Sequence, residues 1–249
     1  MTSFIQFFIT NFPSPLEILL GGPPALIWAY GSLYLAGWLK RHRHLPTGYT
    51  RKIFHFLIFG AAACIQWQWG LRGVCLFGGM TSLVIFYAVW QGEGHLLYEA
   101  IAREKDAPRR TYFILIPYVA TLVGGIASNL LFGPAAMVGY LVTGLADAIA
   151  EPVGTRFGKH LYRVPSLKAV PATRSLEGSL AVWLASLGAL ALGVWMLPAP
   201  SVTDFPWTAF PAIATLCTLV EAVSPHGWDN TTLQLIPSAL VWAFTGIVA

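Results

Sequence analysis

The chain has 249 residues, of which 56% are hydrophobic and only 10% charged, with a formal net charge of +4. An ordinary soluble domain carries roughly 25% charged residues, so this composition excludes a water-soluble fold. Nothing beyond the modest positive charge points to nucleic acid, and no nucleic-acid partner is expected.

Apolar stretches of the about 17 to 25 residues needed to cross a bilayer recur at 16–38, 53–69, 71–91, 112–132, 134–151, 178–197, 207–223 and 232–249. They predict an all-α, polytopic transmembrane helical bundle of about eight spans, with 1–249 forming a single integral membrane domain. The leading MTSFIQFFITNFP is apolar but has no basic n-region and no small-residue cleavage site, so a cleaved signal is not expected and an interfacial anchor is the alternative. Cys64, Cys75 and Cys217 fall inside expected spans without metal spacing and read as small core hydrophobes.

With eight spans, every basic residue except Arg72 lies on one side of the membrane. The positive-inside rule makes that side cytoplasmic and leaves both termini on the non-cytoplasmic side. Apart from Glu17 and Asp204, the acidic residues also gather at the inner side or at inner helix ends, as do all six histidines. Orientation needs only Lys and Arg. The excess of acids and histidines there predicts a site facing the cytoplasm.

In chain order, RKIFHF at 51–56 opens the second expected span and places His55 one turn after Arg51. REKDAPRR at 103–110 reads as a solvated basic loop. ADAIAEPVGTRFGKH at 146–160 sets Asp147 and Glu151 four residues apart on one helix face inside an apolar stretch. Two carboxylates there repel each other and lose hydration unless a cation or hydrogen-bond donors compensate. A divalent metal such as Mg²⁺, held by one or two carboxylates plus substrate phosphates, would do so. The alternative is that Glu151 caps a helix and Asp147 pairs with an arginine.

Pro152 predicts a kink or a restart of the helix at that point, and a restart would turn fresh backbone N–H groups towards a phosphate. Gly154 and Gly158 would then let the backbone approach a ligand closely, with Arg156, Lys159 and Arg163 following. TRSLEGSLA at 173–181 predicts Ser175 as a helix N-cap with Glu177 in the first turn. Functionally, Lys168 and Arg174 could hold phosphate oxygens while Glu177 binds metal or orients a nucleophile. In EAVSPHGWDNTT at 221–232, Asp229 or Asn230 is expected to cap the last span, and Glu221 needs a partner.

Together these residues resemble the CTP-dependent lipid-alcohol kinases, the group of phytol kinase, dolichol kinase and CTP-using diacylglycerol kinase, related in turn to the phosphatidate cytidylyltransferases. The resemblance is carried by Arg51, Lys52 and His55; by Arg103, Glu104 and Asp106; and centrally by Asp147, Ala150, Glu151, Gly154, Phe157 and Gly158. Ser175, Glu177 and Gly178 follow, then Asp229 and Asn230 after Glu221. Two positions depart from the family pattern: Ala146 stands where Gly usually precedes the first Asp, and Gln234 stands where the last segment usually reaches a proline.

The resemblance implies transfer of the γ-phosphoryl group of CTP to a membrane lipid alcohol of phytol, polyprenol or diacylglycerol type, releasing CDP, with Mg²⁺ at Asp147 and Glu151. It implies nucleotide contacts from Arg51, Lys52, Gly154, Arg156, Gly158, Lys159, Lys168, Arg174 and Asn230. Glu177, Asp229 and His55 become further candidates for metal, substrate hydroxyl or proton transfer. A bacterial inner membrane is the expected location, and homo-oligomerisation stays open. The enzymatic alternative is a CTP:phosphatidate cytidylyltransferase forming a CDP-lipid, and the alternative from another class is a transporter relaying ions through Asp147 and Glu151.

Overall fold

A computed structural model describes residues 4–164, 172–198, 205–225 and 227–246. The chain divides into two compact units, one ending at Glu104 and one starting at Lys105.

In the first unit, α1 (Phe4–Asn11) precedes α2 (Pro15–Arg43) and the long α3 (Thr47–Gln91), followed by the short α4 (Leu96–Ile101). Ser14 and Glu17 start α2 with reciprocal side-chain-to-backbone bonds, Glu17 N–H to Ser14 Oγ and Ser14 N–H to Glu17 Oε2, which satisfies two backbone donors at once. Arg72 Nε donates to the carbonyl of Thr10 at 3.0 Å and so ties the end of α1 to α3. α3 holds both of the spans expected at 53–69 and 71–91, with a break between them at Gly70, whose φ of 67° suits glycine. The α2–α3 pair is closed by α4. There Leu96 lies so close to Gly37 that a side chain at that position would strike its carbonyl oxygen.

The second unit contains α5 (Tyr112–Phe132), α6 (Ala136–Val142), a π-helical turn at Thr143–Asp147, and α7 (Ala148–Phe157). An antiparallel hairpin of β1 (Leu161–Val164) and β2 (Ala172–Ser175) then leads into α8 (Leu176–Trp195), α9 (Ala209–Val223) and α10 (Asp229–Thr245). The all-α expectation therefore holds apart from this hairpin, whose register pairs Leu161 with Ser175 and Tyr162 with Arg174.

Among the described residues, four helical stretches are long and apolar enough to cross a membrane: Pro15–Arg43, Thr47–Gln91, Tyr112–Phe157 and Leu176–Trp195; α9 is apolar but shorter. α8 shows how a lipid-facing helix inverts the soluble pattern. Its buried face is Gly178, Val182, Ser186, Ala189, Leu190, Gly193 and Val194, mostly small residues, while Leu176, Leu180, Leu184 and Leu192 are exposed. Small residues inward allow close helix approach where lipid removes the hydrophobic drive between helices. Of the cysteines, Cys217 is buried as expected, but Cys64 is exposed on α3, on a face that the described residues leave uncovered.

A polar seam joins α10 to α5 and α6. Thr231 Oγ1 donates to the Ala120 carbonyl, and Asn230 Nδ2 to Thr121 Oγ1 and the Pro117 carbonyl. Gln234, fully buried, donates through Nε2 to the carbonyls of Thr121 and Asn230. Gly124 and Gly139 make room for this contact: a Cβ on Gly124 would stand 2.9 Å from the Cα of Thr231, and one on Gly139 would overlap the Gln234 carbonyl.

Candidate functional site

The centre of the second unit's polar end is α7. The backbone stays helical through Asp147 and Ala148, so Asp147 and Glu151 keep one face, a single turn apart. Asp147 is buried at 3% exposure and Glu151 is half-buried, its Oε1 lying 3.7 Å from Lys105 Nζ.

The expected break at Pro152 does not occur. α7 runs through the proline, and the irregularity lies upstream, in the π turn ending at Asp147. Pro152 has no N–H for the carbonyl of Ala148 and its ring crowds that carbonyl. Widening the preceding turn relieves the crowding without ending the helix. The fresh row of N–H groups that a restart would offer to phosphate is therefore not formed.

Gly154 and Gly158 also serve a different purpose from the one expected. A Cβ on Gly154 would meet Ser175 Oγ at 3.0 Å, and one on Gly158 would overlap the Gly154 carbonyl and meet Ser175 Oγ at 2.8 Å. Opposite them, a Cβ on Gly178 would meet the Ala150 carbonyl at 3.0 Å. The glycines let α7 press against the start of α8, and their free space is taken by Ser175 rather than left to a ligand. Ser175 does act as the N-cap of α8, accepting from Gly178 N–H at 3.1 Å.

This close packing brings the next two groups beside α7. His160 Nδ1 lies 2.7 Å from Glu177 Oε1, with the ring 73% exposed. On β2, Arg174 is held from two sides: Nε lies 3.0 Å from Glu221 Oε1 on α9, and Nη2 donates to Asp229 Oδ2 on α10 at 2.9 Å. Its Nη1 is buried with no hydrogen-bond partner among the described residues. Tyr162, paired across the hairpin, shares a hydrogen bond with Ser179 Oγ at 2.7 Å; burial pushes its phenol up, with the Glu221 charge adding to the effect.

Glu221 thus finds the partner its position required. Asp229 and Asn230 do not cap α10 as expected: the residue before them is Trp228, whose side chain makes no cap. Asp229 instead turns to Arg174 and Asn230 to α5, where stronger or more buried partners outcompete the helix end. Arg156 lies over the Phe157 ring at 5.3 Å and, like Lys159, is exposed. Lys168 lies outside the described residues. Among the described residues no group of three or more His, Cys, Asp or Glu side chains could hold a metal.

Arg51, Lys52, His55, Arg103 and Glu104 belong to the first unit. Lys52 and Arg103 are buried, Arg51 and His55 are half-buried, and the His55 ring stands 4.5 Å from that of Phe59. Glu104 is no free loop residue: its Oε1 accepts from Lys40 Nζ at 2.6 Å and from Thr47 Oγ1 at 3.0 Å. Burial alone would raise its pKa, but the Lys40 and Thr47 hydrogen bonds outweigh burial and hold the carboxyl below the usual range. Sequence reading passed over His160. It ends the very stretch that carries Asp147 and Glu151, but its partner is 17 residues on and only the hairpin joins them.

The chain is 27% identical over 234 residues to the phytol kinase of Synechocystis sp., an alignment that covers 94% of this chain and 95% of that protein. Every residue from Arg51 to Asn230 discussed above falls inside it. No family model matches the sequence, and no solved structure matches it.

Proposed function

We propose that this protein is a CTP-dependent lipid-alcohol kinase of the membrane, transferring the γ-phosphoryl group of CTP to an alcohol of the phytol, polyprenol or diacylglycerol class and releasing CDP. The observation that carries the reading is the near full-length similarity to a phytol kinase. It is supported by the polar groups gathered along the α7–α8 seam.

Asp147 and Glu151 offer hard oxygen donors on one helix face, and such donors fit Mg²⁺, which takes its other ligands from phosphates and water. When bound, the ion would neutralise charge developing on the transferred phosphoryl oxygens. Arg174, with one guanidinium nitrogen lacking a partner among the described residues, is assigned to a phosphate oxygen, and Arg156, Lys159 and Lys168 to the remaining charge of the triphosphate. Arg51, Lys52, His55 and Asn230 are kept as nucleotide or substrate contacts on the resemblance alone. The concentration of bases on one side supports a site facing the cytoplasm, with both termini on the opposite side.

The test supplies purified protein with CTP, Mg²⁺ and a panel of lipid alcohols, with phosphatidate as a separate arm. Lipid phosphate and CDP are expected. Pyrophosphate and a CDP-lipid from phosphatidate, without lipid phosphate, would overturn the proposal. Asp147→Asn should lower kcat by on the order of a hundredfold or more while thermal unfolding stays near that of the parent; near-normal turnover would remove Asp147 from the metal.

A further inference from the structure

The pair formed by His160 and Glu177 has a feature that a purely structural pair does not need. An ionised carboxylate only accepts hydrogen bonds, so the 2.7 Å contact makes Nδ1 of His160 the donor. In the neutral ring this leaves the lone pair on Nε2. The main-chain N–H of His160 also approaches Glu177 Oε2, at 3.4 Å, so the carboxylate holds both ring and backbone. Glu177 is itself fixed in the first turn of α8 by the Ser175 cap, and α8 is pressed on α7 at Ala150 and Gly154. The dyad is therefore mounted on the seam that carries Glu151.

Its surroundings suit a lipid. Three apolar residues lie close to His160 along the chain or through the backbone, although the charged Lys159 precedes it directly: Leu161 follows it, Phe157 precedes it by three, and Leu176 donates its N–H to the His160 carbonyl at 3.0 Å. All three are more than half exposed. Exposed apolar residues in the neighbourhood of an exposed histidine suit a hydroxyl carried on a bilayer-dissolved chain.

We propose that His160 is the general base of the lipid-alcohol kinase reaction, with Glu177 as its positioning residue; the assignment rests on the function proposed above. Nε2 takes the proton of the lipid hydroxyl as the hydroxyl oxygen forms its bond to the γ-phosphorus. The bond from that phosphorus to the β,γ-bridging oxygen breaks, and its electron pair leaves with CDP. The proton then passes from Nε2 to water. No further reactant is required.

The experiment measures lipid phosphate from CTP, Mg²⁺ and the best alcohol of the panel for the parent protein, His160→Ala and His160→Asn, each checked by thermal unfolding. Asn can still donate to Glu177 from the position of Nδ1 but carries no base. Both variants should lose kcat by on the order of 10²–10⁴-fold with the KM for CTP unchanged, and added imidazole should restore part of the turnover of His160→Ala. Glu177→Gln should lose less, because a neutral acceptor still orients the ring. Parent-level turnover by His160→Asn, or no response of His160→Ala to imidazole, would overturn the general base while leaving the kinase reading intact. A parent protein that phosphorylates no alcohol would sink the kinase reading and the base with it.

Discussion

The hairpin and the residue before it carry two nitrogen-bearing side chains in opposite settings. Arg174 on β2 is buried between Glu221 and Asp229, its side chain 15% exposed, whereas His160, just before β1, stands in the open beside Glu177. A buried pair is costly to form but more costly to break, because removing one partner strands the other charges away from water. An exposed pair contributes about 1 kcal/mol at most. The first arrangement therefore joins β2 to α9 and α10, beside the phosphate contact proposed for the same arginine. The second adds little to stability, and its fixed geometry makes sense as chemistry.

The sharpest way to break this contrast is Arg174→Ala, which leaves Glu221 and Asp229 facing each other without the guanidinium. A loss of about 3–5 kcal/mol is expected, read as a large drop in thermal unfolding temperature in detergent and a collapse of turnover. If instead stability is retained and only the KM for CTP rises, the phosphate contact proposed for Arg174 stands and the tie does not.

Gly158→Ala tests the seam between the two groups. The added methyl would collide with the Gly154 carbonyl and crowd Ser175 Oγ, pushing the start of the hairpin off α7. Overpacking of this kind costs about 1–3 kcal/mol, while a displacement of His160 should lower turnover by on the order of tenfold to a hundredfold. Stability and turnover measured together separate the effects.

The smallest effect is expected at Glu104, the first unit's own exposed pair with Lys40. Its folded carboxyl sits below the usual range, so the contribution is present at neutral pH and fades as pH falls through and below about 4.3, the ordinary value for Glu. Glu104→Gln should lower the unfolding temperature slightly at pH 7, by the equivalent of less than about 1 kcal/mol, and the gap to the parent should shrink at pH 3. A gap that widens on acidification would refute the assignment.

Much of the frame was legible beforehand, since the stretches expected at 16–38, 53–69, 71–91 and 112–132 lie in helices, the middle two merged in α3 across Gly70. Four helical stretches among the described residues are long and apolar enough to span, where about eight spans were expected. Ser175 as a cap and the need of Glu221 for a partner were also legible, because both follow from local chemistry. Three readings failed. Pro152 seemed to break a helix, Asp229 and Asn230 seemed to cap one, and Gly158 seemed to open a ligand space. The last two depended on neighbours distant in sequence, Arg174 and α5 for one and Ser175 for the other, and the first on the π turn just upstream, which sequence pattern does not reveal. The four-residue strands were missed because they are too short to establish a pattern.

Sequence alone determined that this chain would place long apolar helices in a bilayer, with its charged chemistry at their ends, because transfer of side chains out of water is a property of the residues themselves. It also determined that Asp147 and Glu151 share a face, since that follows from the helical repeat. Only the tertiary structure decided which charges neutralise which. Ion pairs act over a few ångströms in space, and the hairpin and the α7–α8 contact set those distances for His160 with Glu177 and for Arg174 with Glu221 and Asp229.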